Sequence, residues 1–236
     1  MQSRDRLIVA LDRSSRDEIL RLVDALHDAA GAFKIGLQAF ISTGPAFVRE
    51  LVARGEKIFL DLKVHDIPNT AQNAVAEIAA LGVAMTTVHA AGGEAMLRFS
   101  ARDDLLVLGV TVLTSLDDAE LQRVGFTGNA LETSVRLARL SQQCGLRGVV
   151  ASPEEIGAIR EACGRELVIV TPGVRPEGSA AGDQRRTTTP AAAVAAGADY
   201  IVVGRPVTGA PAPREAALRI IEQLDGAQHR SPARLA

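Results

Sequence analysis

Apolar residues fall along this chain in short runs, separated by stretches with helical spacing. The runs lie at Leu7–Asp12, Phe33–Gly36, Lys57–Lys63, Met85–Ala90, Leu105–Leu113, Gly148–Ser152, Leu167–Gly173 and Tyr200–Arg205, and each reads as a strand. Between them, Ile19, Val23, Leu26 and Ala30 form a helical stripe closed by Gly31, and Pro45 opens a helix ended by Gly55. Ser152-Pro153 and Thr189-Pro190 have the form of a helix cap followed by proline at the first helical position. Gly82 and Gly197 follow alanine-rich segments and read as residues just past helix ends.

Strict alternation of strand and helix, with strands apolar on both faces, predicts a parallel sheet covered by helices. Eight such units predict a closed (β/α)₈ TIM barrel, an α/β fold, in a single domain over residues 1–225. An open doubly wound sheet is the alternative, but no Gly-x-Gly-x-x-Gly turn follows the first strand. Residues 226–236 read as a disordered tail.

In a barrel, function gathers where strands end and lead into the next helix. Asp12 ends the first strand, Lys34 sits near the end of the second, and the third ends in Asp61-x-Lys63 with Asp66 just beyond. Strand alternation puts Asp61 and Lys63 on one face while Ile58, Leu60 and Leu62 take the other. Two charges on a buried strand cost desolvation that their pairing often only offsets, so they point to use; a structural ion pair is the competing reading. His89 ends strand four, and Thr114-Ser115 follow strand five. The segment from Pro172 to Thr189, with Arg175, Gln184, Arg185 and Arg186, is long for such a connection. It lies where barrels commonly bind phosphate and reads as a mobile lid. Gly204 and Arg205 would complete an anion grip, unless they belong to an exposed basic loop with a helix-capping glycine.

Charge narrows the chemistry. The formal net charge is −2 with both signs scattered, which argues against a nucleic-acid groove or a membrane-binding face. No apolar signal region precedes the first strand and no apolar run approaches about 18 residues, so a soluble cytoplasmic protein is expected. Cys144 and Cys163 lack Cys-x-x-Cys spacing and read as packing residues. His65, His89, Asp61 and Asp66 suggest a metal site, but the charge of Lys63 within the cluster would compete with a cation, so no metal is expected and the histidines read as scaffold. Lysines and carboxylates beside a phosphate grip suit proton transfer or carbanion chemistry on a sugar phosphate. Flanking carboxylates favour the cationic form of Lys63, which makes it an acid rather than a Schiff-base nucleophile.

The segment Asp-Leu-Lys-Val-His-Asp-Ile-Pro-Asn-Thr at 61–70 resembles the signature of the orotidine 5′-phosphate decarboxylase family. So, in order, do Leu7-Ile-Val-Ala-Leu-Asp12, Phe33-Lys-Ile-Gly36, Val110-Thr-Val-Leu-Thr-Ser115, Thr171-Pro-Gly-Val-Arg175, Gly182-Asp-Gln184 and Val203-Gly-Arg-Pro206. The resemblance implies loss of CO2 from orotidine 5′-phosphate to give uridine 5′-phosphate, the last step of pyrimidine nucleotide synthesis, with no cofactor. Lys63 would protonate the carbon that loses the carboxylate, within an array completed by Lys34, Asp61 and Asp66. Asp66 would enter from the partner subunit of a homodimer. Asp12 and Thr70 would contact the ribose region, Thr114 and Ser115 the pyrimidine, and Arg175, Gln184, Gly204 and Arg205 the phosphate, with Ile67 and Pro172 also against the substrate. Two rivals are a metal-assisted phosphosugar decarboxylase, aldolase or epimerase on the same barrel, and a non-catalytic barrel that binds nucleotide phosphate.

Overall fold

The computed structural model describes residues 1–176 and 188–229. Each of the eight apolar runs forms a strand: β1 (Leu7–Ala10), β2 (Ala32–Gly36), β3 (Ile58–Val64), β4 (Met85–His89), β5 (Leu106–Val110), β6 (Gly148–Val150), β7 (Val168–Thr171) and β8 (Tyr200–Val203). They pair in parallel in chain order, and β8 closes on β1 through Leu7 opposite Ile201 and Val9 opposite Val203. Among the described residues the helices are α1 (Ser3–Arg6), α2 (Arg16–Leu26), α3 (Leu37–Ala53), α4 (Pro68–Ala79), α5 (Glu94–Ser100), α6 (Asp118–Arg123), α7 (Ala130–Gln143), α8 (Ile156–Cys163), α9 (Pro190–Ala196), α10 (Arg205–Thr208) and α11 (Pro213–His229). None is long and apolar enough to cross a membrane.

Period-two alternation divides the apolar residues into two bodies. Ile8, Ala10, Ala32, Phe59, Met85, Leu108, Val170 and Val202 fill the barrel, while Leu7, Val9, Phe33, Ile35, Ile58 and Leu60 point outward into the larger core under the helices. The same alternation carries the inner faces from apolar to charged toward the strand ends. Ile8 and Ala10 of β1 lead to Asp12 just beyond it, Ala32 leads to Lys34 on β2, and Phe59 leads to Asp61 and Lys63 on β3. The ions therefore lie at one rim, above an apolar plug.

Helix ends follow the sequence where a cap is local. Thr189 accepts from the Ala192 amide, Ser152 caps the short helical turn that leads into α8, and Gly82 and Gly197 take φ of 78° and 115°. Two expectations are corrected. The helix read as closing at Gly31 ends at Leu26, where the Ala29 and Ala30 amides both turn back to the Leu26 carbonyl. Gly31 is instead a point of close backbone approach: an added Cβ would stand 2.5 Å from the Asp5 carbonyl oxygen. The helix read as opening at Pro45 is the second half of a bent one, since α3 begins at Leu37 and Gly44, at φ 74° and ψ 176°, breaks it before the proline. At the other end of the chain, α11 continues through Gly226 to His229, past the point where the sequence reading ended the domain.

Candidate active site

A cavity of about 490 Å³ opens at the C-terminal ends of the strands. Its wall includes Asp12, Lys34, Asp61 and Lys63 on one side and Thr114, Pro172, Arg175, Gly204 and Arg205 from later connections. The charged residues form an alternating chain. Lys34 Nζ lies 3.0 Å from Asp12 Oδ1 and 3.7 Å from Asp61 Oδ2, and Lys63 Nζ donates to both Asp61 oxygens at 2.8 and 2.9 Å. Lys34 and Asp61 are nearly enclosed, each with 12% of the side chain exposed, whereas 32% of the Lys63 side chain is exposed. Glycine at position 36 makes room for this chain, since a Cβ there would meet Lys34 Nζ at 2.8 Å and Asp12 Oδ1 at 3.0 Å.

The β3 backbone departs from regular pairing where the charges begin. Leu60 pairs with Thr86 and Val64 with Val88, so the three residues from Asp61 to Lys63 face only Thr87. Lys63 takes φ 53°, the positive value among the described non-glycine residues. For a lysine this conformation costs on the order of 1–3 kcal/mol and persists only where the surroundings hold it. The Lys63 amide donates to Thr87 Oγ1 at 2.9 Å, and the Thr87 hydroxyl donates to Asp61 Oδ1 at 2.9 Å.

Burial pushes the Asp61 carboxyl up, but the attraction of Lys63 and Lys34 and the hydrogen bonds from Lys63 and Thr87 together hold it below its ordinary value. It is a carboxylate at neutral pH. Burial lowers His89, and repulsion from His65 and Lys63 lowers it further against the pull of Asp61. The His65 and His89 rings lie 5.2 Å apart, tilted by 36°. Among the described residues, no group of three or more His, Cys, Asp or Glu could hold a metal ion.

Across the cavity, Arg175 is lowered first by its burial and then by the charge of Arg205. Two guanidiniums that repel one another within one cavity make a place where an anion would be welcome. The stem of the connection is tied by the Arg175 amide donating to the Thr188 carbonyl at 2.8 Å. Gly204 lines the cavity, and an added Cβ would stand 3.6 Å from Ala10 Cβ, an ordinary contact, so the neighbouring protein atoms do not by themselves require a glycine.

The fold thus gathers Asp12, Lys34, Asp61, Lys63, Thr114, Pro172, Arg175, Gly204 and Arg205 around one space. Asp66, Ile67, Thr70 and Ser115 do not line it. Asp66 is exposed and accepts the Ile67 amide at 2.7 Å, and Ile67 is 67% exposed. Gln184 lies outside the described residues. Sequence reasoning missed Thr87, Arg13 and Gln38. Thr87 shares a β4 face with His89, and that was the available signal. Arg13 and Gln38 line the cavity, where Arg13 donates to the Thr208 carbonyl at 3.1 Å and Gln38 to Ser14 Oγ at 3.0 Å.

The sequence profile described as "Orotidine 5'-phosphate decarboxylase / HUMPS family" matches residues 5–220. The orotidine 5'-phosphate decarboxylase of Heliobacterium modesticaldum is 50% identical over 95% of this chain and 97% of its own length. That of Moorella thermoacetica is 50% identical over 95% of this chain and 94% of its own. The crystal structure of orotidine 5'-phosphate decarboxylase from Lactobacillus acidophilus superposes with a TM-score of 0.83 at 34% identity, covering 93% of this chain and 98% of that one.

Proposed function

The chain belongs to the orotidine 5′-phosphate decarboxylase / HUMPS family and is a carboxy-lyase of pyrimidine biosynthesis, and from that premise we propose how its residues remove CO2 from orotidine 5′-phosphate. The observation that carries the proposal is the alternating chain Asp12, Lys34, Asp61, Lys63 facing Arg175 and Arg205 across one cavity.

Arg175 and Arg205, with the Gly204 backbone, receive the phosphate, whose charge offsets their mutual repulsion. Asp12 meets the ribose and Thr114 the pyrimidine. The bond between the ring carbon and the carboxylate breaks, its electron pair stays on the ring carbon, and CO2 leaves. The cationic Lys63 stabilises the developing carbanion and gives it a proton from Nζ, after which solvent restores the ammonium. Asp61, itself held by Lys34, keeps that ammonium aimed. Because the phosphate contacts lie remote from the reacting carbon, their binding energy can assemble the site rather than merely retain substrate.

The active unit is a homodimer in which Asp66, Ile67 and Thr70 enter the partner's cavity. Support comes from their placement: they follow the strand that carries Lys63, yet stay outside the cavity of their own chain, with Asp66 and Ile67 exposed. The free thiols of Cys144 and Cys163 fit a reducing cytoplasm.

Purified protein incubated with orotidine 5′-phosphate should lose the orotate absorbance and form uridine 5′-phosphate, at the same rate with and without a chelator. Activity abolished by chelation and restored by a divalent ion would point instead to a metal-assisted phosphosugar enzyme on the same barrel.

A further inference from the structure

Thr87 lies opposite the β3 irregularity and is fully buried. Its hydroxyl has one proton to give and lone pairs to receive, and both capacities are used: it accepts from the Lys63 amide and donates to Asp61, each at 2.9 Å. One side chain therefore ties the backbone of one member of the ion pair to the carboxylate of the other. The amide it receives belongs to the residue at φ 53°, whose place in the regular ladder is lost to the bulge. Threonine is stiff at χ1, so the hydroxyl is held in place rather than merely available. Its neighbour Thr86 is spent differently, donating outward to the Leu60 carbonyl at 2.8 Å.

From this geometry we infer that Thr87 is a positioning residue for the decarboxylation: it holds Lys63 in its left-handed conformation and orients Asp61, so that the Lys63 ammonium is aimed at the reacting carbon. The inference rests on the function proposed above. Thr87 itself does not line the cavity.

The test compares Thr87→Val, which keeps the shape and removes both hydrogen bonds, with Thr87→Ser, which keeps the hydroxyl. Thr87→Val should lower kcat by about 10- to 100-fold, the scale of a small misplacement of a reacting group. KM and the affinity for uridine 5′-phosphate should move by less than about threefold, since the phosphate contacts are untouched. Thr87→Ser should recover most of the turnover. Equal kcat in Thr87→Val and wild type, or equal losses in the Val and Ser variants, would overturn the inference. If Thr87→Val does not fold, Thr87→Cys, of similar size with a weak hydrogen-bonding group, takes its place against Thr87→Ser under the same expectations. Amide hydrogen exchange at Lys63 supplies a reading independent of activity: it should be faster in the Val or Cys variant, and unchanged exchange would refute the tie. If wild type fails to turn over orotidine 5′-phosphate, the proposed function falls, and the exchange measurement still decides whether Thr87 holds the Lys63 backbone.

Discussion

A lysine at φ 53° sits where its own Cβ crowds the backbone, and here two groups compensate, the Thr87 hydroxyl on its amide and the Asp61 carboxylate on its ammonium. Lys63 in this conformation lines the cavity with its ammonium on Asp61. If that ammonium does the chemistry, Lys63→Ala should lower kcat by orders of magnitude while uridine 5′-phosphate still binds by calorimetry; near-normal turnover would remove Lys63 from the role. His89 offers a prediction about stability. Its folded-state value lies below 6.5, chiefly through burial, so between that depressed value and 6.5 the unfolded chain binds more protons than the folded one. Stability should fall as pH drops below about 6.5, and thermal melts of His89→Gln should show a shallower decline than wild type over that window. Identical slopes would show that His89 is not held neutral.

At the level of elements, the barrel depends on a few places where backbones nearly touch. Gly31 precedes β2, its amide donates to the Leu7 carbonyl at 2.9 Å, and an added Cβ would lie 2.5 Å from Asp5 O and 2.6 Å from Asp5 Cα. These are backbone atoms and cannot swing aside. Gly31→Ala should destabilise the fold by about 1–3 kcal/mol, the usual result of forcing an extra carbon into a packed place, and lower the melting temperature. Gly164→Ala is a different case, for no atom lies within 4 Å and the cost there is the φ of 78° alone. β3 shows the converse economy: its apolar half follows regular register, and on the β4 side the register shifts between Leu60 and Val64, where Asp61 and Lys63 lie.

For the whole molecule, the arrangement of Asp66 carries the sharpest consequence. If Lys63 and Asp66 of one site come from different chains, Lys63→Ala and Asp66→Asn proteins should each be nearly inactive alone. A mixed dimer then holds one site with both defects and one with neither. Random exchange in equal amounts makes half the dimers mixed, so about a quarter of all sites should be intact. Activity should reappear on mixing, near that fraction of wild type. Exchange confirmed by mass, with activity still at the level of the separate variants, would place Asp66 within its own site.

Strand and helix order and the face shared by Asp61 and Lys63 were legible in the sequence because each follows from periodicity within a few residues, and the barrel because eight strand-helix units recur. So were the later rim residues Arg175, Gly204 and Arg205, since a strand's end places them without knowledge of its neighbours. What only the tertiary structure decided is which distant groups meet. Asp12 joins Lys34, and Lys34 reaches Asp61, because β1, β2 and β3 pair in a particular register. Alternation along β4 separates the inward Thr87 from the outward Thr86, but only the pairing of β4 with β3 shows that Thr87 meets both the Lys63 amide and Asp61. Gly31 looks in sequence like the end of a helix, yet its reason is the Asp5 backbone pressed against it. Local spacing specifies direction along an element, whereas contact between elements depends on register, bulges and close approach, which are settled when the barrel closes.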